Sequence, residues 1–314
     1  MSFLAPTLAP GQGPLSMLAE RREPGVLAII TGVEGPSYRP VGAAMAISET
    51  GERAGTLSSG CIEADIALHA REALADGAPK AIRYGRGSPF RDIELPCGGG
   101  LDILLVPAPD RDVLRALLRR QEARDPVTLA IEPGTGALAL QETGATGWLD
   151  GLFHVRHVPA LRFQVFGKGP EACTFAALVQ SAGYPNTLLS PDDETLATAG
   201  ALGCGTRHLT QAAFPGDLPV DAWTAVVLFF HDHDWEPPIL AGALETEAFY
   251  IGAQGSRRAR DARLLALEAM GVGAEARARL HGPVGLIPSA RDAGTLAVSV
   301  LAEILAVAQP APAG

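Results

Sequence analysis

Apolar positions in the second half of the chain alternate between short continuous runs and stretches with helical spacing. Continuous runs predict buried strands, and apolar residues three or four apart predict helices. Strands alternating regularly with helices are typical of a parallel sheet covered by helices, so the pattern predicts a doubly wound α/β domain. The predicted elements are strand 161–166, helix 170–182, strand 186–190, helix 193–199, strand 223–230, helix 236–244, strand 248–252 and helix 257–271.

The first half of the chain has a less regular pattern and predicts a mixed α+β domain. From residue 132 to residue 159 the periodicity fades among glycines and turn signals. We therefore place a domain boundary near residue 158, which divides the chain into domains 1–157 and 158–314. The two ends, 1–14 and 309–314, are predicted to be a loose leader and a frayed tail. In the first domain the predicted strands are 25–31, 43–47 and 101–106, and the predicted helices are 62–74 and 112–121.

Composition and charge narrow the class of protein. With 314 residues, of which 47% are hydrophobic and 19% charged, the chain has enough apolar material for two cores. A formal net charge of -10 argues against a basic face for nucleic acid. The sequence has no signal-peptide pattern and no apolar run long enough to span a bilayer, so we expect a cytoplasmic protein. Its four cysteines are then mostly reduced, and Cys173 and Cys204 are interpreted as structural.

Two glycines, Gly167 and Gly169, stand between the first predicted strand of the second domain and the helix that follows it. The run from Gly167 to Ala172 fits G-x-G-x-x-A, in which a glycine turn and a helix N-terminus bind a pyrophosphate. However, Glu171 puts a negative charge in the first helical turn, and Ser190 stands where an acid would hold a ribose hydroxyl. The run therefore predicts either a nucleotide site or a βα turn that binds nothing.

Polar residues follow two further strands of the predicted parallel sheet. His231 and His233 come after one strand, and Gly255, Ser256 and Arg257 come after the next. Ligands of such sheets bind outside the carboxyl ends of the strands, so we expect these loops to converge with the glycine turn on one crevice. Ser256 is placed to cap the next helix, and Arg257 to meet a phosphate. The two histidines suit either a metal pair or, more commonly, a polar loop.

A cysteine in the first domain, Cys61, stands where a glycine turn passes into a helix. It follows Ser59 and Gly60 and precedes Glu63. A helix N-terminus stabilises a thiolate and lowers its pKa. The position therefore indicates a thiol available for chemistry, although a single cysteine is more often a small buried apolar residue.

A second cysteine of the first domain, Cys97, precedes a run of glycines. The flexible backbone at Gly98 and Gly99 can expose N–H groups to an anionic ligand, and Arg39 offers a fixed positive charge in another glycine-rich loop. A thiolate beside anion-binding backbone suits a soft metal or its sulfur ligands. It equally suits sulfur transfer or nucleophilic catalysis.

Short motifs are distributed along nearly the whole chain. They are Gly35-Pro-Ser-Tyr-Arg-Pro-Val-Gly42, Ser58-Ser-Gly-Cys-Ile-Glu63, Leu95-Pro-Cys-Gly-Gly99, His231-Asp-His233, Tyr250-Ile-Gly-Ala-Gln-Gly-Ser-Arg-Arg258, Leu280-His-Gly-Pro-Val-Gly285 and Ala297-Val-Ser-Val-Leu-Ala-Glu-Ile304. In their order and spacing they resemble the motifs of one family, the xanthine dehydrogenase accessory factor (XdhC/CoxI) family. The resemblance implies an N-terminal cofactor-associated domain followed by a C-terminal Rossmann-like domain. It also implies binding of molybdenum cofactor, as molybdopterin or its cytosine dinucleotide form.

The function implied by this resemblance is that of an accessory protein rather than a metabolic enzyme. Such a chaperone protects sulfurated cofactor and passes it to an apo molybdenum hydroxylase, of the xanthine dehydrogenase or aldehyde/CO dehydrogenase type. The other implied partners are a cysteine desulfurase, a cofactor nucleotidyltransferase and a second copy of the chain. The implied cofactor-binding residues are Arg39, Ser59, Gly60, Cys61, Glu63, Cys97, Gly98, Gly99, Gly167, Gly169, His231, His233, Gly255, Ser256 and Arg257.

The sequence departs from the family pattern mainly in its second half. Relatives have Gly-x-Gly-His-Val-Gly where this chain has Gly167-Lys-Gly-Pro-Glu-Ala172, and Gly-Leu-Asp-Ile-Gly where it has Gly285-Leu-Ile-Pro-Ser289. The family's Ser-Gly-Gly-Cys is Ser58-Ser-Gly-Cys61 here. Two other hypotheses remain alongside the chaperone: an NAD(P)-dependent oxidoreductase that uses the second-domain crevice, and a cysteine-based transferase that moves sulfur onto the cofactor.

Overall fold

A computed structural model of the chain describes residues 13–58, 60, 62–88, 98–230 and 234–308. The chain divides into two compact units, Met1–Pro159 and Ala160–Gly314. The predicted leader and tail lie almost wholly outside the described residues, except that helix α1 already begins at Pro14. Among the described residues no helix has both the length and the apolar character that crossing a membrane requires.

The first unit contains two antiparallel sheets. The larger has five strands in the order β3-β2-β1-β5-β4, and the smaller has four in the order β7-β6-β9-β8. The elements are α1 (Pro14–Glu20), β1 (Gly25–Glu34), β2 (Ala44–Ser48), β3 (Arg53–Gly55), α2 (Glu63–Asp76), β4 (Lys80–Gly85), β5 (Gly100–Pro107), α3 (Arg111–Glu122), β6 (Val127–Ile131), β7 (Leu138–Gln141), β8 (Gly147–Leu149) and β9 (Leu152–His157).

The five-stranded sheet is covered on both faces. On one face Ile30 and other apolar side chains of the sheet pack with the apolar stripe of α2, which includes Ile66 and Ala70. On the other face Leu27 and Ile29 pack with the four-stranded sheet and with α1 and α3. Such burial of both faces explains why β1 begins with a continuous apolar run rather than an alternating one.

One extra residue interrupts the pairing of β1 with β5. Ile30 is opposite Ile103, but Gly32 is opposite Asp102, so Thr31 forms a β-bulge. The bulge changes which residues face α2. Before it Ile30 lies in the α2 core, and after it Val33 packs against the same core.

The segment 132–159, where the periodicity fades and no helix or strand was predicted, has regular structure. It contains β7, β8 and β9, which pair with each other and with β6. The strands escape the periodicity argument because β7 and β8 are three or four residues long and only partly buried. Glycines with positive φ at the turns, Gly136 and Gly151, produced the turn signals.

The second unit is a parallel six-stranded sheet in the order β12-β11-β10-β13-β14-β15. Counted from the start of the unit this order is 3-2-1-4-5-6, the Rossmann arrangement, and it confirms the predicted doubly wound fold. The elements are β10 (Arg162–Gly167), α4 (Pro170–Ser181), β11 (Asn186–Ser190), α5 (Asp193–Ala201), β12 (Gly205–His208), β13 (Thr224–Phe229), α6 (Glu236–Leu244), β14 (Tyr250–Ala253), α7 (Arg257–Ala269), α8 (Ala274–Ala278), β15 (Leu280–His281) and α9 (Ala293–Ala308).

Helices cover both faces of this sheet. α4 and α9 contribute to the core on one face with Phe163 and Phe229. α6 and α7 pack on the other face around Phe166 and Leu228. The strand order reverses between the parallel neighbours β10 and β13, and the carboxyl ends of these two strands form the switch point at which ligands of such folds bind.

Candidate functional site

Three loops leave the five-stranded sheet at the same edge. β1 ends at Glu34 and β5 begins at Gly100, and these residues pair with each other; Gly100 also pairs with Gly85, the last residue of β4. On the other side of β1, β2 begins at Ala44, next to the end of β3 at Gly55. The loops 35–43, 56–62 and 86–99 therefore all start or finish at this edge, which we call the loop edge.

The loop edge brings together the two glycine-rich segments that carry the predicted thiols. Cys61, Cys97 and Ser59 lie outside the described residues, but their neighbours are described. Gly60 and Gly98 are both exposed, and both have positive φ, at 109° and 69°. Glycine is favoured in this conformation, and because it has no side chain, the backbone next to each cysteine is exposed to solvent.

Gly99 is needed because another loop packs directly on it. A Cβ atom at this position would overlap the carbonyl oxygen of Pro36 and lie 2.9 Å from the carbonyl oxygen of Glu34. The Gly99 carbonyl in turn accepts a hydrogen bond of 3.1 Å from the Arg86 N–H. The loops 35–43 and 86–99 are thus in backbone contact at this glycine.

We expect Gly99→Ala to lower the free energy of unfolding by about 2–3 kcal/mol, because the new methyl group meets backbone that cannot move aside. Urea denaturation of the full chain measures the change. Gly98→Ala is the matched control. No atom of the described residues lies within 4 Å of its Cβ position, so this variant bears only the cost of a left-handed conformation, about 1 kcal/mol. Equal losses at the two positions would contradict the proposed close packing.

The carboxylate of Glu63 organises the loop before α2. Its Oε1 accepts hydrogen bonds from the Thr56 hydroxyl and from the N–H groups of Leu57 (3.0 Å) and Ser58 (2.8 Å). Its Oε2 accepts from the Ser58 hydroxyl at 2.7 Å and the Ile62 N–H at 3.2 Å. Burial alone would raise the pKa of Glu63, but these hydrogen bonds outweigh burial and lower it to about 2.

Glu63 therefore stabilises the chain just before Cys61 through hydrogen bonds within the protein. Its oxygens are surrounded by donors of the protein itself, so its direct part in ligand binding stays a prediction. The same contacts affect the expectation for Cys61, since the Ile62 N–H at the start of α2 already binds both Glu63 and the Ser58 hydroxyl. The first turn also carries Asp65. We infer that the helix N-terminus offers a Cys61 thiolate less stabilisation than the sequence suggested.

Arg39 is held by a compact turn, and part of its guanidinium is desolvated there. The Ser37 hydroxyl donates to the Arg39 carbonyl at 2.8 Å and accepts from the Arg39 N–H at 3.2 Å. The side chain is half-buried, and among the described residues its buried Nε has no hydrogen-bond partner. Because Nε itself is occluded, an anionic group of a ligand would have to meet the guanidinium at its terminal nitrogens, with which it can form charge-assisted hydrogen bonds.

An ion-pair cluster beside the loop edge was not found from the sequence. Both Asp102 oxygens lie 2.8 Å from Nη1 of Arg83, whose other nitrogens bind Glu34 and the Arg86 carbonyl. Arg83 and Asp102 lie opposite each other on β4 and β5, whereas Glu34 ends β1. The cluster holds together the strand ends from which the loops 35–43 and 86–99 emerge. Its residues meet because of the register of the sheet, which no local motif records.

The glycine turn of the second unit is bonded internally. Gly169, with φ of 85°, donates its N–H to the Thr195 hydroxyl at 3.0 Å, and Asp192 accepts hydrogen bonds from both the hydroxyl and the N–H of Thr195. Gly167 is a glycine because a Cβ would lie 2.6 Å from the Phe229 carbonyl oxygen. An N–H that a pyrophosphate needs is therefore already used, which argues against the oxidoreductase hypothesis.

The carboxyl ends of β13 and β14 carry the remaining predicted residues of the second unit. Gly255 has φ of 136°, and Ser256 caps α7 as predicted, its hydroxyl accepting the Ala259 N–H at 3.2 Å. Arg257 is exposed in the first turn of α7. His231 and His233 lie outside the described residues. Within the described ranges no cluster of three or more His, Cys, Asp or Glu side chains forms a potential metal site.

A buried ion pair beneath these loops escaped the sequence analysis. Nε and Nη2 of Arg263 donate to the two Glu236 oxygens at 2.7 and 2.9 Å, and Nη2 also binds the Gln254 carbonyl. The two side chains are only 3% and 1% exposed. The pair joins α7 to the start of α6 and to the chain that follows β14, so it supports the loops at this end of the sheet.

A second carboxylate, Glu303 of α9, supports the chain that follows β15. It accepts the Tyr250 hydroxyl at 2.6 Å and the Gly285 N–H, and the His281 ring stacks on Tyr250 with centroids 4.4 Å apart. Burial, followed by the bond to Glu303, raises the pKa of Tyr250. This carboxylate lies within the predicted motif 297–304, although its role could not be inferred from the motif.

Cys173 and Cys204 are free cysteines, each 7% exposed, in the core between the sheet and α4. The Cys173 thiol donates to the Thr195 carbonyl at 3.5 Å. Burial raises the pKa of both thiols, which keeps them protonated and unreactive. This placement agrees with their predicted structural role.

Comparison with known proteins was made by sequence and by structure. Residues 18–85 match the model of the XdhC and CoxI family, and residues 163–304 match the XdhC Rossmann domain. The chain is 38% identical over 283 residues to the "Molybdenum cofactor insertion chaperone PaoD" of Escherichia coli, covering 90% of this chain and 83% of that protein. It is 28% identical over 329 aligned positions to a Bacillus subtilis protein described as a probable xanthine dehydrogenase subunit, covering 93% and 95%.

A crystal structure of a Bacillus halodurans protein described as a xanthine dehydrogenase has a similar fold. Its TM-score is 0.75 at 22% identity, and the match covers 96% of both chains. At this level of identity the likeness concerns the fold alone. The two domain models match in the order in which the two units occur, and the E. coli relative aligns with most of the chain. The chain therefore belongs to the XdhC and CoxI family.

Proposed function

We propose that the protein is a chaperone that binds molybdenum cofactor at the loop edge and delivers it to an apo molybdenum hydroxylase. The observation that carries the proposal is the convergence of three loops on one sheet edge. One of these loops carries Arg39, whose buried Nε has no acceptor among the described residues. The relationship to a molybdenum cofactor insertion chaperone supports the same role.

The residues of the loop edge fit the chemistry of this cofactor. The cofactor combines a soft molybdenum–sulfur end with a pterin and a phosphate. Cys61 and Cys97 supply thiols, which suit soft ligands. Open backbone at Gly60 and Gly98 can donate N–H groups, and the Arg39 guanidinium supplies the charge-assisted hydrogen bond that a phosphate prefers.

The protein's own part in this function is to hold and release its cargo. Glu63 holds Thr56, Leu57 and Ser58 in place before Cys61, and the contact between Gly99 and Pro36 holds the chain just after Cys97 against the Arg39 loop. Preorganised loops lower the entropic cost of binding, because less chain has to be ordered when the cargo arrives. We further propose that the cargo is the sulfurated cofactor and that a cysteine desulfurase and a cofactor nucleotidyltransferase act upstream.

The partner in delivery is an apoenzyme of the xanthine dehydrogenase or aldehyde/CO dehydrogenase type, and a homodimer is the form in which we expect the chaperone to act. The Rossmann-like unit is proposed to serve as a scaffold, since its glycine turn is bonded internally. Its exposed Arg257 remains available to an anionic group of a partner or ligand.

Co-purification tests the proposal. The full chain is expressed in cells that make molybdenum cofactor, and bound molybdopterin is measured as its fluorescent oxidation product. We expect the wild type to carry cofactor. The variant Cys61→Ala/Cys97→Ala should carry at least about tenfold less, since the loss of one ligand contact worth about 1.4 kcal/mol raises Kd tenfold. Cys173→Ala/Cys204→Ala removes the same number of thiols from the core of the other unit and should retain cofactor. If the wild type carries none, the proposal is wrong.

A transfer assay separates carriage from sulfur transfer. Loaded protein is mixed with an apo hydroxylase, and the activity that appears is followed with and without a cysteine desulfurase. A carrier delivers one equivalent of its cargo and stops. Repeated turnover that depends on the desulfurase and is abolished by thiol alkylation would instead support the transferase.

A further inference from the structure

An exposed tryptophan stands next to the loop edge. Trp148 of β8 has 54% of its surface exposed, yet it is held at two points. Its Nε1–H donates to the Thr31 carbonyl at 3.1 Å, and its ring packs on Phe153 with centroids 5.2 Å apart and planes at 60°. An indole fixed in this way presents its exposed ring face in one orientation, so little side-chain entropy is lost when a ligand contacts it.

The strand that carries Trp148 packs against the loop that carries Arg39. A Cβ on Gly42 would lie 2.9 Å from Cγ2 of Thr146, so the turn before β8 touches the end of the loop 35–43. The hydrogen bond from Trp148 reaches Thr31 in the β1 bulge, just before the same loop. Trp148 is therefore bonded to the chain just before the Arg39 loop, and the turn before it touches the end of that loop.

The chemistry left to Trp148 is that of its ring face. The indole has a single donor, and the Thr31 carbonyl already occupies it. What remains exposed can stack on a flat, electron-poor ring or pack against apolar groups. Arg39 lies on the loop that the turn before β8 contacts, and the terminal nitrogens of its half-buried guanidinium can bind an anion on the same ligand. A flat heteroaromatic ring that bears a phosphate meets both requirements together.

We propose that Trp148 is the stacking platform for the pterin ring of the cargo and that Arg39 binds its phosphate. This inference rests on the proposed function and deepens it, because it assigns the two ends of the ligand to named residues. Trp148 lies in the segment 132–159, which no sequence motif marks as functional.

Tryptophan fluorescence provides a direct test that does not depend on a loaded enzyme. The chain has three tryptophans, so Trp223→Phe/Trp235→Phe leaves Trp148 as the only indole. This variant is titrated with an oxidised pterin bearing a phosphorylated side chain. Stacking should quench the Trp148 emission saturably, whereas a pterin that binds elsewhere leaves it unchanged and overturns the inference.

Equilibrium dialysis with the same pterin measures the contribution of each residue. Trp148→Leu should weaken binding by about tenfold, as expected when an aromatic platform for a base is lost, and Trp148→Phe should keep most of the affinity. Leu149→Ala, which changes the neighbouring residue of β8 with 56% exposure, is the matched control and should bind as the wild type does. Circular dichroism and thermal unfolding verify that each variant is folded.

The phosphate arm uses a second probe, the same pterin without its phosphate. Arg39→Met should weaken binding of the phosphorylated pterin by about tenfold and leave the unphosphorylated pterin unaffected, whereas Trp148→Leu should weaken both. If Arg39→Met weakens both pterins equally, the assignment of the phosphate to Arg39 is wrong.

Failure of this inference can be distinguished from failure of the proposed function. If the wild type co-purifies with cofactor and Trp148→Leu carries the same amount, the function stands and the stacking role is wrong. If Trp148→Leu keeps its affinity for the pterin but no longer transfers cargo to an apo hydroxylase, Trp148 contacts the partner protein, which also overturns the stacking role. If the wild type carries no cofactor, the proposed function itself fails.

Discussion

Replacing Arg263 with methionine should lower the free energy of unfolding by about 3–5 kcal/mol, the usual cost of removing one partner of a buried ion pair. Arg263 and Glu236 are almost completely buried, and the guanidinium also binds the Gln254 carbonyl. Methionine fills part of the space but leaves the Glu236 carboxylate in the core without its guanidinium. Chemical denaturation of the full chain, followed by circular dichroism, measures the change.

Two further variants show whether pairing or packing is responsible. Arg263→Met/Glu236→Leu should recover most of the loss, because a buried pair replaced by apolar residues no longer leaves an uncompensated charge. Arg260→Met, on the same helix, is the matched control. The Arg260 side chain is 42% exposed, and its ion pair with Asp261 is long, at 3.8 Å. Its replacement should therefore cost no more than about 0.5 kcal/mol. A loss at Arg263 no larger than that at Arg260 would contradict the stabilising role of the pair.

Replacing Glu63 with glutamine should cost about 3 kcal/mol at neutral pH, the second largest effect that we expect. Hydrogen bonds to a charged acceptor are worth about 1.5–3 kcal/mol each, and the Glu63 carboxylate accepts several in a buried position. The amide of glutamine can serve as acceptor through its oxygen only, and its NH₂ group would face donors. Denaturation at pH 7 measures the loss, with the exposed Glu49→Gln as a control that should change little.

The contribution of Glu63 should depend on pH in a defined direction. Its pKa falls from 4.5 in the unfolded chain to about 2 in the folded one, so the folded state prefers the charged form. The stabilisation is complete above pH of about 4.5 and is lost as the pH falls toward 2. The difference in unfolding free energy between wild type and Glu63→Gln should therefore shrink as the pH is lowered from about 5 to 2. A difference that grows on acidification would contradict this assignment.

The parallel sheet was predictable from the sequence because its strands are buried on both faces. Such strands are continuous apolar runs, as in the fully buried β13, and they alternate with helices at regular intervals. The prediction missed β12 and β15, since the first is mostly exposed and the second contains only two residues. Short edge strands owe their conformation to pairing with a neighbour, and a single sequence carries little record of it.

The site could be predicted in part. Glycine-rich motifs pointed to the loops of Cys61 and Cys97, and the topology of the sheet shows that these loops start or finish at the same edge as the loop that carries Arg39. The contacts that hold the edge were beyond prediction, because they join residues far apart in the chain. Arg83 meets Glu34 across 49 positions, and Arg263 meets Glu236 across 27. Likewise, the Trp148 bond to Thr31 spans 117 positions and has no local signal.

The nucleotide motif illustrates how a local pattern can specify the shape of a turn without specifying what the turn binds. Gly167 and Gly169 form the strand–turn–helix that the motif predicts, and the strand order is that of a dinucleotide-binding fold. The Thr195 hydroxyl nevertheless accepts the Gly169 N–H, and Asp192 holds that hydroxyl in place. Motif glycines specify the shape of a turn, whereas neighbouring side chains decide whether its N–H groups are available to a ligand.

The β-bulge at Thr31 acts as a phase shift for everything that follows it in β1. Because strand side chains alternate with a period of two, Ile30 and Val33 face the same α2 core only because Thr31 is extra; without it Gly32 would still lie opposite Asp102 and Val33 opposite Leu101. Deleting Thr31 would therefore leave the two faces of the sheet unchanged and would remove the carbonyl that Trp148 binds. What the bulge adds to the molecule is an anchoring point for β8, at the place where β1 carries one residue more than its partner strand.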